Sequence, residues 1–289
     1  MRVRPGRRDR SRGALMAVPS SVGVVVFTLM PLAVVIWLAT QQWDLLGSPR
    51  FTGLANAGSV LTDPAFWNAL QATGILIALV IPVQTALAFA TALLLAGRGV
   101  AKPAFRAVLV LPWVAAPLAV GMVWAWIWAP DGGLVSLLFG RTVNWIADPV
   151  GAMLILAVAI VWNHVGYLSL FFTAGLAAIP SQVREAAMID GADAVQRARF
   201  ITIPLLRPTL VFVLITSIAE VASLFDQVYG LTGGGPGRAT EVLALRIFSD
   251  AFTTFDLGDA AAATVILMVI LLPVMLFIRR PLDRGVRRA

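Results

Sequence analysis

The sequence predicts an all-α polytopic membrane protein with six transmembrane helices, and three observations predict it. Of 289 residues, 59% are hydrophobic and 13% charged, whereas a water-soluble domain carries about 25% charged residues. Mean hydropathy is +0.88. The apolar residues gather into six runs, 16–40, 70–96, 107–129, 151–178, 208–230 and 260–278, each close to the roughly 20 residues a helix needs to cross a bilayer.

The first run follows Arg2, Arg4, Arg7, Arg8, Arg10 and Arg12. It is too long for the apolar core of a cleavable signal, and Trp37, Gln41 and Gln42 stand where small cleavage-site residues belong, so it reads as a retained span. Pro31, Pro82, Pro112, Pro117 and Pro273 lie in or beside the runs. Spans tolerate proline where neighbouring helices satisfy the freed carbonyls.

Charge sets the orientation. Of the 22 basic residues, 18 fall in the N-terminus, the loop 97–106, the loop 179–207 and the tail 279–289; the opposite side holds only Arg50, Arg141, Arg238 and Arg246. Basic loops stay cytoplasmic, which places both termini in the cytosol. The other side is acidic, with Asp44, Asp63, Asp131, Asp148, Glu241, Asp250, Asp256 and Asp259. The expected organisation is a basic cytoplasmic N-terminus (1–15), a six-helix membrane domain (16–280) and a basic cytoplasmic tail (281–289).

Composition also excludes functions. The chain has no cysteine and one histidine, His164, so neither a disulfide nor a thiolate or multi-histidine metal site is expected. The net charge of +7 follows membrane topology rather than a nucleic-acid groove. The terminal arginines suit anionic membrane lipid. No phosphate loop of the form Gly-x-x-x-x-Gly-Lys-Ser/Thr occurs, so ATP hydrolysis is not expected of this chain. No nucleophile–base pair suggests a membrane enzyme.

The cytoplasmic loop between the fourth and fifth runs contains Glu185-Ala186-Ala187-Met188-Ile189-Asp190-Gly191, then nine residues, then Ile201-Thr202-Ile203-Pro204. Ser181 is positioned to cap a helix and Gly191 to end it. A second short helix is predicted over Ala194–Phe200. Two short helices at a bend make a knob for a cytosolic partner, with Glu185 supplying charge.

This run resembles the EAA loop of ABC importer permeases, where Glu-Ala-Ala, three residues, Gly, nine residues and Ile-x-Leu-Pro form the pattern. Only Ile203 departs, standing for Leu. A second likeness is Leu231-Thr232-Gly233-Gly234-Gly235-Pro236, with Ala251-Phe252 and Asp256-Leu257-Gly258 beyond it. It resembles the outer loop of the MalF-like subunit of sugar-type importers. Trp43-Asp44-Leu45-Leu46-Gly47, Leu111-Pro112-Trp113 and Ala116-Pro117-Leu118 are similar to actinobacterial UspA-type amino-sugar permeases, and UgpA-type permeases look similar too.

The resemblance implies the type I ABC importer permease fold in a bacterial inner membrane, with coupling through the loop 181–204. Glu185, Ala186, Ala187, Asp190, Gly191, Ile201 and Pro204 would meet an ATPase. It implies a second homologous permease, two ATPase subunits that bind ATP and Mg, and a solute-binding (lipo)protein, with no cofactor in this chain. A stand-alone secondary transporter using Glu220 and Asp226 is a rival, but leaves the loop unexplained.

Polar residues within spans are costly and are functional candidates. Asn163, His164 and Tyr167 share a face of the fourth run, and Ser217, Glu220, Val221 and Leu224 share one of the fifth. Aligning outward from the two loops places these seven, with Trp113, where the family's sugar contacts fall. Trp113 and Tyr167 would cover a sugar face; Asn163, Ser217 and Glu220 would bond hydroxyls. The carboxylate of Glu220 suits an amino sugar and argues against a nearby phosphate, the group a glycerophosphodiester or glycerol phosphate cargo would bring. Asp226 reads as structural.

Overall fold

The computed structural model describes residues 18–45, 47–95, 102–142 and 144–286. The basic segment 1–15 and tail residues 287–289 lie outside the described residues. Cα packing divides the chain into two units, Met1–Asp63 with Ile247–Val269, and Pro64–Arg246 with Ile270–Ala289.

In the first unit, α1 (Val18–Leu38) is the first span. It carries a wide turn at Val25–Leu29, closed by Met30 N–H donating to the Val25 carbonyl. The cause is Pro31, which has no N–H to continue the ladder. A short antiparallel hairpin follows, β1 (Gln41–Gln42) and β2 (Arg50–Phe51), with Gln41 opposite Phe51. Helix α2 (Ala55–Thr62) supplies Asn56, whose amide donates to the carbonyls of Ala39 and Gln41.

The second unit holds α3 (Pro64–Leu95), α4 (Lys102–Val114), α5 (Pro117–Ile127), α6 (Leu134–Phe139), α7 (Pro149–Ala177), α8 (Ser181–Ile189), α9 (Val195–Leu205), α10 (Arg207–Ala222) and α11 (Asp226–Leu231). Two further helices, α12 (Leu243–Phe252) and α13 (Leu257–Val286), close the chain. The last helix continues to Val286, into the predicted tail 281–289.

Four helices, α1, α3, α7 and α13, are each long and apolar enough to cross a membrane; the pairs α4–α5 and α9–α10 make six spans if each counts as one. Two of the predicted runs are broken. The run 107–129 bends by 93° between α4 and α5. Pro117 forces Ala116 out of the helical region, to φ −58° and ψ 125°, because the proline ring clashes with a helical predecessor. The run 208–230 is likewise broken. Helix α10 stops at Ala222, and α11 begins at Asp226.

Helix α3 packs along α7 and also against α10. Their apolar side chains form two clusters. One contains Leu76, Val80, Ile160 and Val221. The other contains Ala88, Leu168, Phe172 and Val213. Backbones approach closely where side chains are absent, as in membrane bundles generally. A Cβ at Gly121 of α5 would lie 2.7 Å from the Gln227 carbonyl oxygen of α11, and one at Gly230 would lie 2.6 Å from that of Leu118.

Candidate functional site: a polar belt in the spans and an exposed knob

At the break between α4 and α5 the carbonyl of Pro112 accepts from Ala115 N–H at 3.2 Å. Asn163 of α7 is its second donor, with Nδ2 at 2.6 Å. The Oδ1 of Asn163 accepts from Nε2 of Gln227, at 3.1 Å. Asn163 is 3% exposed and Gln227 1%. The amide predicted to bond a sugar hydroxyl therefore has both ends in use, tying α4, α7 and α11 together. Gly166, one turn below, lets the α4 backbone at Leu109 press onto α7.

The other candidates separate into three situations. Trp113 and Tyr167 stack on each other, with centroids 4.0 Å apart and planes 3° from parallel. Each covers a face of the other instead of both standing open to a sugar ring. Val221 is buried in the first apolar cluster. Leu224 lies in the linker beyond α10, packed on that cluster. Its helical register with Ser217 is thus a correction: the helix ends two residues before it, so the four residues do not form one continuous stripe.

The third group is polar and unsatisfied. Ser217 is wholly buried, and its hydroxyl has no partner among the described residues. Glu220, one turn on, has a buried Oε2 without a partner. His164 places Nδ1 2.9 Å from the Ile160 carbonyl. That contact makes Nδ1–H the donor to the carbonyl. Sequence reasoning missed Gln84 of α3, which is 1% exposed with an unpartnered Oε1. Its signal was visible: it is an amide in the middle of an apolar run.

The loop predicted to be cytoplasmic folds as two helices. Ser181 is not the cap; Pro180 holds the capping position, without a side-chain acceptor. The end of α8 is as predicted. Gly191 adopts φ +76°, its N–H donates to the Met188 carbonyl at 3.1 Å, and Ala192 N–H reaches Ala187 at 3.0 Å. This is a Schellman closure. Asp193 and Gln196 then form a reciprocal capping box, with Gln196 N–H on Asp193 Oδ1 at 2.8 Å and Asp193 N–H on Gln196 Oε1 at 2.9 Å. Arg197 bonds the Ala192 carbonyl across the bend. The second helix outruns the predicted Phe200, passing through a wide turn at Ala198–Thr202 before Pro204.

Ala187 anchors α8 from its buried side, while Glu185, Ala186, Asp190 and Gly191 are exposed. Met188, Ile189, Val195 and Phe200 are exposed as well, Ile189 at 86%. Between the helices lies a cleft of 310 Å³ lined by Ser181, Glu185, Met188, Arg197, Ile201 and Thr202. The predicted coupling residues thus gather in one projecting knob, with apolar side chains that nothing in the chain covers.

The glycine turn is fixed rather than loose. Thr240 Oγ1 donates to the Gly235 carbonyl at 2.7 Å and contacts Thr232 Oγ1 at 2.6 Å. Leu243 N–H bonds Thr73 of α3 at 2.8 Å.

The family model described as "Binding-protein-dependent transport system inner membrane component" matches residues 84–288. The chain is 36% identical, over 94% of each chain, to the sn-glycerol-3-phosphate transport system permease protein UgpA of Agrobacterium fabrum. It is 32% identical to the trehalose/maltose transport system permease protein MalF of Thermococcus litoralis, over 93% of this chain and 92% of that one. Its fold matches a chain of the crystal structure of a bacterial alginate ABC transporter in complex with an alginate pentasaccharide-bound periplasmic protein, with TM-score 0.79, 19% identity and 95% and 94% of the two chains covered. With its broken spans and its polar belt, the chain belongs to the family of binding-protein-dependent transport system inner membrane components, the permeases of ABC importers.

Proposed function

We propose that this chain forms half of the translocation pathway for a small sugar, in an importer driven by separate ATPase subunits. The observation that carries the sugar assignment is the carboxylate of Glu220, with a buried, unpartnered oxygen inside a span. An oxygen in that position favours a cargo that brings a donor. Sugar hydroxyls and ammonium groups are donors, whereas a phosphate beside the carboxylate is repelled by like charge. Relatives named for maltose and trehalose support the reading.

Cargo reaches the outer face on a solute-binding protein, as the alginate importer's complex with a periplasmic protein suggests. A second permease completes the pathway. Two ATPase subunits bind ATP and Mg, since the sequence of this chain has no phosphate loop. Their movement enters through the α8–α9 knob. Glu185 meets a basic group in the ATPase, and Ile189, Val195 and Phe200 bury apolar area against it. Both termini then face the cytoplasm.

A glycerol phosphate cargo is the second reading, favoured by the UgpA relative at 36% identity. Uptake by the reconstituted transporter decides between them. Trehalose, maltose and glucosamine are the expected cargo class, with sn-glycerol 3-phosphate excluded. Glu220→Gln is expected to lower glucosamine uptake at least tenfold and trehalose uptake less. Import of sn-glycerol 3-phosphate and of none of the sugars would overturn the assignment.

A further inference from the structure

Three helices of the second unit carry the same pattern. On α3, Gln84 stands four residues from Val80 and four from Ala88; on α7, His164 stands so between Ile160 and Leu168; on α10, Ser217 stands so between Val213 and Val221. In each case one flanking residue belongs to the first apolar cluster and the other to the second. Four residues are about one helical turn. The polar side chains therefore sit at one level, separating the two clusters. The three helices pack on one another.

The level is not internally satisfied. Gln84 Oε1, Ser217 Oγ and the nearby Glu220 Oε2 are buried without partners, and so is Thr85 Oγ1 beside Gln84. Buried polar atoms ordinarily find partners, and in a membrane the cost of failing is higher. Apolar residues would fill the same space with greater stability. A chain that keeps an unsatisfied amide here keeps it for something that comes and goes.

We infer that Gln84 is a specificity-determining residue of the cargo path, placed on the second span to accept a hydroxyl proton from passing sugar. The level carries unmet acceptors, Gln84 Oε1 and Glu220 Oε2. Ser217 can donate or accept. Such a set favours donor-rich, uncharged or cationic polyols over anions. This inference rests on the sugar reading above and extends it to a helix where no contact was expected.

The test uses the assembled transporter with its binding protein. Gln84→Met keeps the side-chain length and removes the unsatisfied oxygen; Ser217→Ala is its counterpart on α10. A cargo residue gives opposite signs in two readouts. The midpoint of thermal unfolding without cargo rises by about 2–4 °C, while trehalose uptake falls at least tenfold. A structural residue, or one held by a permanent water, gives a midpoint that falls, and that result overturns the inference. So does unchanged uptake. If the wild-type transporter imports neither trehalose, maltose nor glucosamine, the sugar reading fails instead, and the thermal midpoint alone decides whether the level is strained.

Discussion

Asn163 and Ser217 are both buried polar residues of spans, and their hydrogen bonds set them apart. Asn163 bridges the Pro112 carbonyl and Gln227. Asn163→Ala strands the buried Gln227 amide, while the Pro112 carbonyl keeps its bond from Ala115 N–H; the expected cost is about 1–3 kcal/mol, and a lowered midpoint in tryptophan-monitored unfolding checks it. Ser217 bridges nothing, so Ser217→Ala is expected to leave stability intact or raise it. Gly166 has a third role. Its missing Cβ is the space that the Leu109 backbone occupies. Gly166→Ala must push α4 from α7, with an expected loss of about 3 kcal/mol, seen as reduced yield of folded protein.

At the scale of elements, proline decides where spans bend and a left-handed residue decides where the knob turns. The positions of α1, α3, α7 and α13 were legible because a long apolar run in a membrane has one low-energy form, a helix that satisfies its own backbone. The breaks at Ala115–Ala116 and at Ser223–Phe225 were not. A proline can kink or break a span, and the outcome depends on which neighbours hold the broken end. At the first break that neighbour is Asn163, 51 residues from the Pro112 carbonyl it bonds; the second break contains no proline. The α8 terminus was legible, since Gly191 is the residue type that a left-handed closure prefers. Gly191→Ala is expected to cost about 1–2 kcal/mol locally. It should lower ATP-dependent uptake while the global unfolding midpoint stays within a few degrees of wild type. The Asp193–Gln196 box escaped notice although its D-x-x-Q spacing is the ordinary signal.

For the whole molecule, the distribution of basic residues carries the orientation, and the absence of cysteine makes it directly testable. Single cysteines can be introduced into a chain that has none. Ser48→Cys, in the β1–β2 hairpin, is expected to react with an impermeant maleimide added to intact cells. Gln196→Cys, in the knob, is expected to react only after the membrane is opened. The reverse pattern would place both termini outside and leave the knob beyond reach of any ATPase.

The sequence by itself determined what summed hydropathy and a spaced motif can encode, the spans and the Glu185–Pro204 segment, and its charge distribution predicts their sidedness. These are properties of runs, and a run has the same character whatever it touches. Only the tertiary structure decided which polar residues are free. Asn163, Ser217 and Gln84 are equivalent by the rule that flags polar groups in spans. Their roles diverge because burial in a bundle leaves each a particular set of neighbours, and an unmet hydrogen bond is a property of those neighbours rather than of the residue.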